Sequence, residues 1–179
     1  MKIATHNSCT GEKGYSWTKL FTLFSRCQNK TIEEQYKAGV RYFDVRVKLT
    51  DRGWVGAHGL WQSKKTIDSI LQELNSLIID KEDCYVSITY EGEGSKHLLE
   101  RAVNRWREEY YNITFVYIAS KKPKWTIFKT YKHISIEQCY KKLDFSSWHT
   151  IIPIPWLWKK IYYNNPTFNN TKFTMVDFV

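Results

Sequence analysis

Segments with the pattern of a β-strand alternate with segments with the pattern of an α-helix, and this alternation restricts the fold more than any other feature of the chain. Runs rich in β-branched and aromatic residues predict about six strands, at KIATHNS, VRYFDVRVKL, WVGAHGL, CYVSITYE, NITFVYIAS and KFTMVDFV. Helical periodicity predicts helices at TIEEQYKAG, TIDSILQELNSLIIDKED and SKHLLERAVNRWREEY, and a weaker one at SIEQCYKKL. This order predicts an α/β fold with a mainly parallel sheet.

The length of the chain limits how that sheet can be arranged. A complete eight-fold barrel usually needs about 200 residues or more, whereas this chain has 179. A barrel would therefore have to be reduced or irregular. The sequence contains no internal repeat, linker or low-complexity segment, so we expect residues 1–179 to form a single domain.

Charge and cysteine content narrow the classes of partner and compartment. The formal net charge is +9, which favours anionic partners such as phosphate esters, nucleic acid or anionic lipid surfaces. Four cysteines show neither a C-x-x-C pair nor regular spacing, so they predict free thiols in a reducing compartment. There is no leader pattern before His6 and no apolar run near the roughly 20 residues that span a bilayer. We expect a cytoplasmic protein.

Polar side chains fall at the ends of several predicted strands. They are His6, Asp44 with Arg46, His58, and Glu91. The carboxyl ends of parallel strands gather active-site residues, and two histidines with an arginine suit the cleavage of a phosphodiester. One imidazole removes a proton, the other donates one, and the guanidinium holds the phosphate. Each residue alone is more often structural, so the inference rests on the ordered set.

The sequence around these residues resembles the X-domain of phosphatidylinositol-specific phospholipase C and its bacterial relatives. The family has a T-H-[DN]-S start, a segment Q-x-x-x-I-x-x-Q-L-x-x-G-x-R-x-F/L-D-x-R, and an H-G after a short hairpin. This chain reads THNS, then QNKTIEEQYKAGVRYFDVRV, then WVGAHG. The positions that match in order and spacing are Gln28, Ile32, Gln35, Gly39, Arg41, Phe43, Asp44, Arg46, His58 and Gly59.

The resemblance implies a reduced or distorted TIM-like (β/α) barrel and a set of catalytic roles. His6 would be the general base on a hydroxyl of the substrate, and His58 the general acid to the leaving oxygen. Arg46 would stabilise the transition state, and Asp177, in the closing VDF, would orient His6. The first product would be a cyclic phosphodiester, which water would then open.

The residue types at the second strand bear on metal use. The calcium-dependent branch of the family has an E-x-D pair there, whereas this chain has Asp44-Val45-Arg46. An arginine in place of a calcium ligand would repel the ion, so we expect a metal-independent enzyme with no cofactor. Asn7 matches the calcium branch instead, and Asn7, Asp44 and Glu91 are the alternative ligand set. Otherwise the expected substrate-binding residues are Asn7, Asp44, Lys48 and Glu91.

The substrate stays open between several classes. The resemblance implies a phosphoinositide-like lipid at a membrane surface, although SITYE lacks the lysine of the bacterial relatives. A nucleotide or cyclic oligonucleotide is the alternative enzyme substrate, because a ribose 2′-hydroxyl neighbours the phosphodiester in the same way as the inositol 2-hydroxyl does. A catalytically silent module that binds an anionic ligand or a membrane is the alternative outside enzymes. Lys121, Lys122 and Lys124 are either contacts to an anionic head group or a solvated basic face. The segment with Trp156, Trp158, Lys159 and Lys160 either inserts at a lipid interface or closes the barrel with buried rings. No obligate protein partner is evident.

Overall fold

The computed structural model describes residues 2–79, 83–92, 96–116, 136–138, 173–176 and 179. The strands in this part of the chain are β1 Ile3–Thr5, β2 Val40–Thr50, β3 Gly53–His58, β4 Trp61–Thr66, β5 Tyr85–Tyr90, β6 Thr114–Val116, β7 Ile136–Gln138 and β8 Phe173–Val176. The α-helices are α1 Thr22–Ser25, α2 Ile32–Lys37, α3 Ile67–Leu77 and α4 Lys96–Glu109. Two 3₁₀ segments, Ser8–Gly11 and Ser16–Phe21, lie between β1 and α1.

Six of the strands run parallel, in the spatial order β6-β5-β2-β1-β8-β7. The hairpin of β3 and β4 is antiparallel and joins the sheet through the last residues of β2. Val47 lies at the junction, since it pairs with Tyr90 of β5 on one side and with Gly56 of β3 on the other. The predicted α/β fold with a mainly parallel sheet is confirmed.

Two sequence expectations differ from the structure. Ile136–Gln138, predicted within a helix, pairs in parallel with β8 instead, because joining an existing strand outweighs a weak local helical pattern. β4 was not predicted at all, since its sequence WQSKKT is mostly polar. Within the described ranges nothing pairs β6 with β7, so the sheet is open there and a closed barrel is not confirmed.

The local signals around α2 form as predicted. The Thr31 side chain accepts from the Glu34 N–H at 3.2 Å, and the Glu34 carboxylate accepts from the Thr31 N–H at 2.8 Å. This reciprocal capping box fixes the first turn of the helix. Gly39 then takes a φ of +93°, a conformation that glycine adopts without a steric penalty. The helix therefore ends where the chain turns into β2.

The two faces of the sheet carry different apolar clusters. The larger one packs the sheet against α2, α3 and α4, and includes Phe43, Val45 and Val47 of β2. The smaller one lies on the opposite face and comprises Ala4, Tyr42, Tyr85, Val116, Phe173 and Met175. Side chains alternate along a strand, so Asp44, Arg46 and Lys48 follow Tyr42 on that second face. No helix in the described part of the chain is long and apolar enough to cross a membrane.

Candidate active site

Arg46 is the centre of a polar cluster near the carboxyl ends of β1 and β5, on the part of β2 that pairs with β5. Its Nη1 donates to Glu91 Oε1 at 2.8 Å, and its Nε lies 3.6 Å from Asp44 Oδ2. Burial disfavours the guanidinium charge, but Asp44 and Glu91 together raise the pKa of Arg46 above its ordinary value. The residue therefore stays protonated, as a cation held between two carboxylates.

His6 follows β1 and faces the same guanidinium. Arg46 Nη2 lies 3.0 Å from His6 Nε2. A guanidinium can only donate, so Nε2 is the unprotonated nitrogen of the ring and accepts this hydrogen bond. An unprotonated imidazole nitrogen is a group that can accept a proton, so this ring has the form that a general base requires.

Gln28 fixes the backbone that carries His6, a role that the sequence analysis did not assign. It is fully buried, and its Nε2 donates to the carbonyl oxygens of His6 at 3.0 Å and Val176 at 3.1 Å. The His6 N–H in turn donates to the Val176 carbonyl at 3.1 Å. Gln28 was one of the matched positions of the family pattern, and that match was the only signal for it.

His58 ends β3 and is oriented by the segment around α1. Its Nδ1 lies 2.8 Å from the Ser25 carbonyl, and Ser25 Oγ donates to the His58 carbonyl at 3.0 Å. Because a carbonyl only accepts, Nδ1 carries a proton and Nε2 faces the cluster. Burial lowers the pKa of His58. Ser25 and Glu91 oppose that shift, whereas the charge of Arg46, and that of His6 when it is protonated, add to it.

Asn7, which follows His6 directly, contacts both Asp44 and the ring of His58. It is 1% exposed and has left-handed backbone angles of φ 47° and ψ 50°, which asparagine tolerates better than most residues. Its N–H donates to Asp44 Oδ2 at 3.2 Å, and its Nδ2 donates to His58 Nε2 at 3.4 Å. Asn7 therefore links Asp44 of β2 to the His58 ring at the end of β3.

Glu91 lies at the end of β5 and contacts two parts of the site. Oε1 accepts from Arg46, and Oε2 accepts from the Gly59 N–H at 3.0 Å. Burial opposes ionisation of this carboxyl, but the hydrogen bonds from Arg46 and Gly59 and the Arg46 charge hold the pKa of Glu91 below its ordinary value. The side chain is therefore an anion at neutral pH.

The oxygens expected for the alternative calcium site do not fit a metal ion in this arrangement. The guanidinium of Arg46 already contacts Asp44 and Glu91, so a cation occupies the position between their carboxylates. Among the described residues, no group of three or more His, Cys, Asp or Glu side chains is placed to hold a metal. Calcium would have to displace Arg46 to reach both carboxylates.

The other predicted site residues lie at different distances from this cluster. Lys48 is two residues beyond Arg46 on the same face of β2 and is half-buried, and it forms no ion pair with the described carboxylates. Asp177 is outside the described residues, and so are Lys121, Lys122, Lys124, Trp156, Trp158, Lys159 and Lys160.

A set of exposed apolar side chains lies on the 3₁₀ segment Ser16–Phe21, on α1 and on the turn after β3, and the sequence analysis missed it. We call it the apolar rim; its members are Trp17, Leu20, Leu23, Phe24 and Leu60, between 41% and 71% exposed. The bonds between Ser25 and His58 join the end of α1 to the turn that carries Leu60. The signal in the sequence was the run SWTKLFTLFS, whose apolar residues follow no regular period.

Comparisons with known proteins give similarity in structure alone. No protein-family model and no curated protein matches the chain. The phosphatidylinositol-specific phospholipase C of Listeria monocytogenes matches with a TM-score of 0.61 and 13% identity, over 99% of this chain and 88% of that one. The corresponding enzyme of S. aureus matches with a TM-score of 0.50 and 16% identity, over 66% of this chain and 47% of that one. At such low identity the likeness shows the fold.

Proposed function

We propose that the chain is a phosphodiesterase in which two histidines perform general acid–base catalysis and a hydroxyl of the substrate attacks the phosphorus. The observation that carries the proposal is the 3.0 Å contact between Arg46 Nη2 and His6 Nε2. It brings a permanent cation and an unprotonated base to one position near the carboxyl ends of β1 and β5. His58 is linked to the same cluster through Asn7 Nδ2 and through the bond from the Gly59 N–H to Glu91.

In the proposed first step one histidine accepts a proton and the other donates one. His6 Nε2 takes the proton of the substrate hydroxyl as its oxygen bonds to phosphorus, and the bond from phosphorus to the leaving oxygen breaks. His58, as imidazolium, donates its Nε2 proton to that oxygen. Arg46 contacts a non-bridging oxygen and offsets the charge that develops there. The product is a cyclic phosphodiester, which water then opens with the two histidines in reversed roles.

The remaining members of the site support these groups. Asp44 and Asn7 hold Arg46 and His58, and Lys48 adds a second cation for the bound anion. The central cluster pairs one guanidinium with two carboxylates, so a further positive side chain favours an anionic substrate. Asp177, which follows β8, is the proposed partner that orients His6.

We propose that no metal ion takes part, because Arg46 already supplies the positive charge between Asp44 and Glu91. The proposed substrate is a phosphoinositide-like lipid, and we propose that the protein works in the cytoplasm at a membrane surface. The apolar rim beside His58 and the exposed Lys13 and Lys19 near it favour a lipid over a free nucleotide.

A product assay tests the proposed function. Phosphatidylinositol and a panel of nucleotide phosphodiesters are incubated with the protein, and phosphorus NMR follows the substrates. We expect a cyclic phosphodiester from the lipid, at a rate that excess EGTA leaves unchanged. Cleavage of nucleotides alone would assign the alternative substrate class. Loss of turnover in EGTA would contradict metal independence, and no cleavage of any substrate would favour the binding module.

The apolar rim predicts a specific pattern of membrane binding. Trp17 and Leu20 are 60% and 71% exposed, so their side chains are free to enter the interface of a bilayer. Replacing both with alanine should weaken binding to vesicles of anionic phospholipid by about tenfold or more, since each loses up to about 1.5–3 kcal/mol of apolar burial. Co-sedimentation measures the binding, and turnover of a water-soluble phosphodiester should be unchanged.

Matched controls lie before the amino-terminal ends of two strands, away from the carboxyl ends where the site lies. Ile79 and Tyr111 are 70% and 79% exposed and stand before β5 and β6, where those strands begin. The double variant Ile79→Ala with Tyr111→Ala removes comparable apolar area and should bind vesicles like the wild type. Equal losses in both double variants would mean that the apolar rim has no special part in binding.

A further inference from the structure

Glu91 uses both of its carboxylate oxygens on groups of the protein. Oε1 accepts from Arg46 Nη1 at 2.8 Å and Oε2 accepts from the Gly59 N–H at 3.0 Å. Its side chain is 12% exposed, and its own N–H donates to the Val47 carbonyl at 2.9 Å, which extends the pairing of β5 with β2. This residue is therefore fixed at the backbone and at both ends of its carboxylate.

The bond to Arg46 leaves one end of the guanidinium available for a change of partner. Nη1 is held by Glu91, whereas Nη2 donates to His6 Nε2. In this resting arrangement the lone pair of the base is engaged and cannot accept a proton from a hydroxyl. A bound phosphate oxygen competes for Nη2, because a charge-assisted bond to an anion is stronger than a bond to neutral imidazole.

The bond to Gly59 acts on the other histidine. Gly59 follows His58 directly and has a φ of +60°, so the turn depends on a glycine and on what holds its N–H. The titratable groups that influence His58 are Glu91, Arg46 and, when it is protonated, His6. Of these, the Glu91 anion raises the pKa of His58, against burial and the two other groups.

We propose that Glu91 is a positioning residue that couples the two halves of the site, and not a ligand of the substrate. It anchors Arg46 through Nη1, so that Nη2 passes from His6 to the phosphate and frees the base only when substrate is bound. Through Gly59 it holds His58 at the same phosphate. This inference rests on the proposed function.

The test is the variant Glu91→Gln in the full chain, with two readouts. A glutamine can accept through one oxygen only and carries no charge. We expect kcat on phosphatidylinositol to fall about 100-fold, the usual cost of a displacement near 1 Å at a reacting centre, while KM changes little. In the free protein with EGTA present, NMR titration of the His58 ring should give a lower pKa than in the wild type.

Two further variants separate this role from general damage. Glu91→Asp keeps the charge but is too short to reach both donors, so it should lower kcat while His58 titrates closer to the wild type. Glu33→Gln removes an exposed carboxylate paired with Lys37 and should change neither readout.

The outcomes distinguish this inference from the proposed function. A raised KM with unchanged kcat and unchanged His58 titration in Glu91→Gln would overturn it, since Glu91 would then bind substrate directly. If the wild type cleaves no phosphodiester, the proposed function fails, and the His58 titration still decides whether Glu91 controls that ring. Addition of inorganic phosphate to the wild type should also shift the His6 Nε2 resonance as Arg46 leaves it; an unchanged resonance at saturating phosphate would contradict the exchange of Nη2.

Discussion

Replacing Arg46 with lysine should lower kcat on phosphatidylinositol by about 1,000-fold or more, the range known for an arginine that stabilises phosphoryl transfer. The guanidinium contacts Glu91 at 2.8 Å, His6 at 3.0 Å and Asp44 at 3.6 Å, each through a different nitrogen. A lysine has one nitrogen and cannot keep these three contacts while it binds phosphate. We expect the loss mainly in kcat, because the contact to phosphate strengthens in the transition state.

Arg46→Lys is a sharper test than Arg46→Ala, which would leave Asp44 and Glu91 buried without a cation and so endanger folding. Arg105→Lys is the matched control, since Arg105 forms an exposed pair with Asp68 and should be replaceable without loss of turnover. Turnover of Arg46→Lys within tenfold of the wild type would show that Arg46 does not stabilise the transition state. Thermal unfolding of each variant checks that the fold is intact.

The second large effect is expected from the histidines. His6→Ala and His58→Ala should each lower kcat by about 100- to 10,000-fold, the usual contribution of general acid or base catalysis. The two variants should differ in their response to the leaving group. A nitrophenyl phosphodiester needs little help from a general acid, so it should restore much of the rate in His58→Ala and little in His6→Ala. Restoration in His6→Ala alone would reverse the two roles.

The pH dependence follows from the environment of His58. Burial lowers the pKa of this ring below its ordinary value, and a general acid must be protonated to act. The kcat/KM of the wild type should therefore fall as pH rises through a pKa below about 6.5. A bound phosphate favours the imidazolium form of His58, so the fall of kcat with rising pH should follow a higher pKa than the fall of kcat/KM. His58→Ala should lack this limb, and His97→Ala, which changes an exposed residue of α4, should retain it.

Much of the local structure follows from short-range rules that the sequence displays. The capping box of Thr31 and Glu34 and the turn at Gly39 depend on a few neighbouring residues, and they form as expected. The hairpin strand β4 and the strand at Ile136–Gln138 were not predicted, because their partners are distant or their own sequences are weak in strand formers. Pairing with β3 and β8 decides both.

The same distinction between local and distant contacts applies to the candidate site. Strand alternation alone places Asp44, Arg46 and Lys48 on one face of β2, two residues apart. Alternation does not predict that Glu91 accepts hydrogen bonds from both Arg46 and the Gly59 N–H, since Glu91 is 45 positions from Arg46 and 32 from Gly59. Gln28 and Ser25 were also assigned no role. Their bonds to the histidine segments involve backbone carbonyls, which every residue has, so the sequence carries no pattern that predicts them.

By itself the sequence determined the alternation of strands with helices over most of the described chain, the face on which each polar strand residue lies, and the presence of two histidines and an arginine on or directly after strands. Periodicity and capping are properties of neighbouring residues, so they can be read along the chain. The tertiary structure alone decided that Arg46 is shared between two carboxylates and His6, that Ser25 sets the tautomer of His58, and that the end of α1, which carries part of the apolar rim, is joined to the turn after β3. These depend on contacts between segments tens of residues apart, which form only when β1, β2, β3 and β5 come together in one sheet.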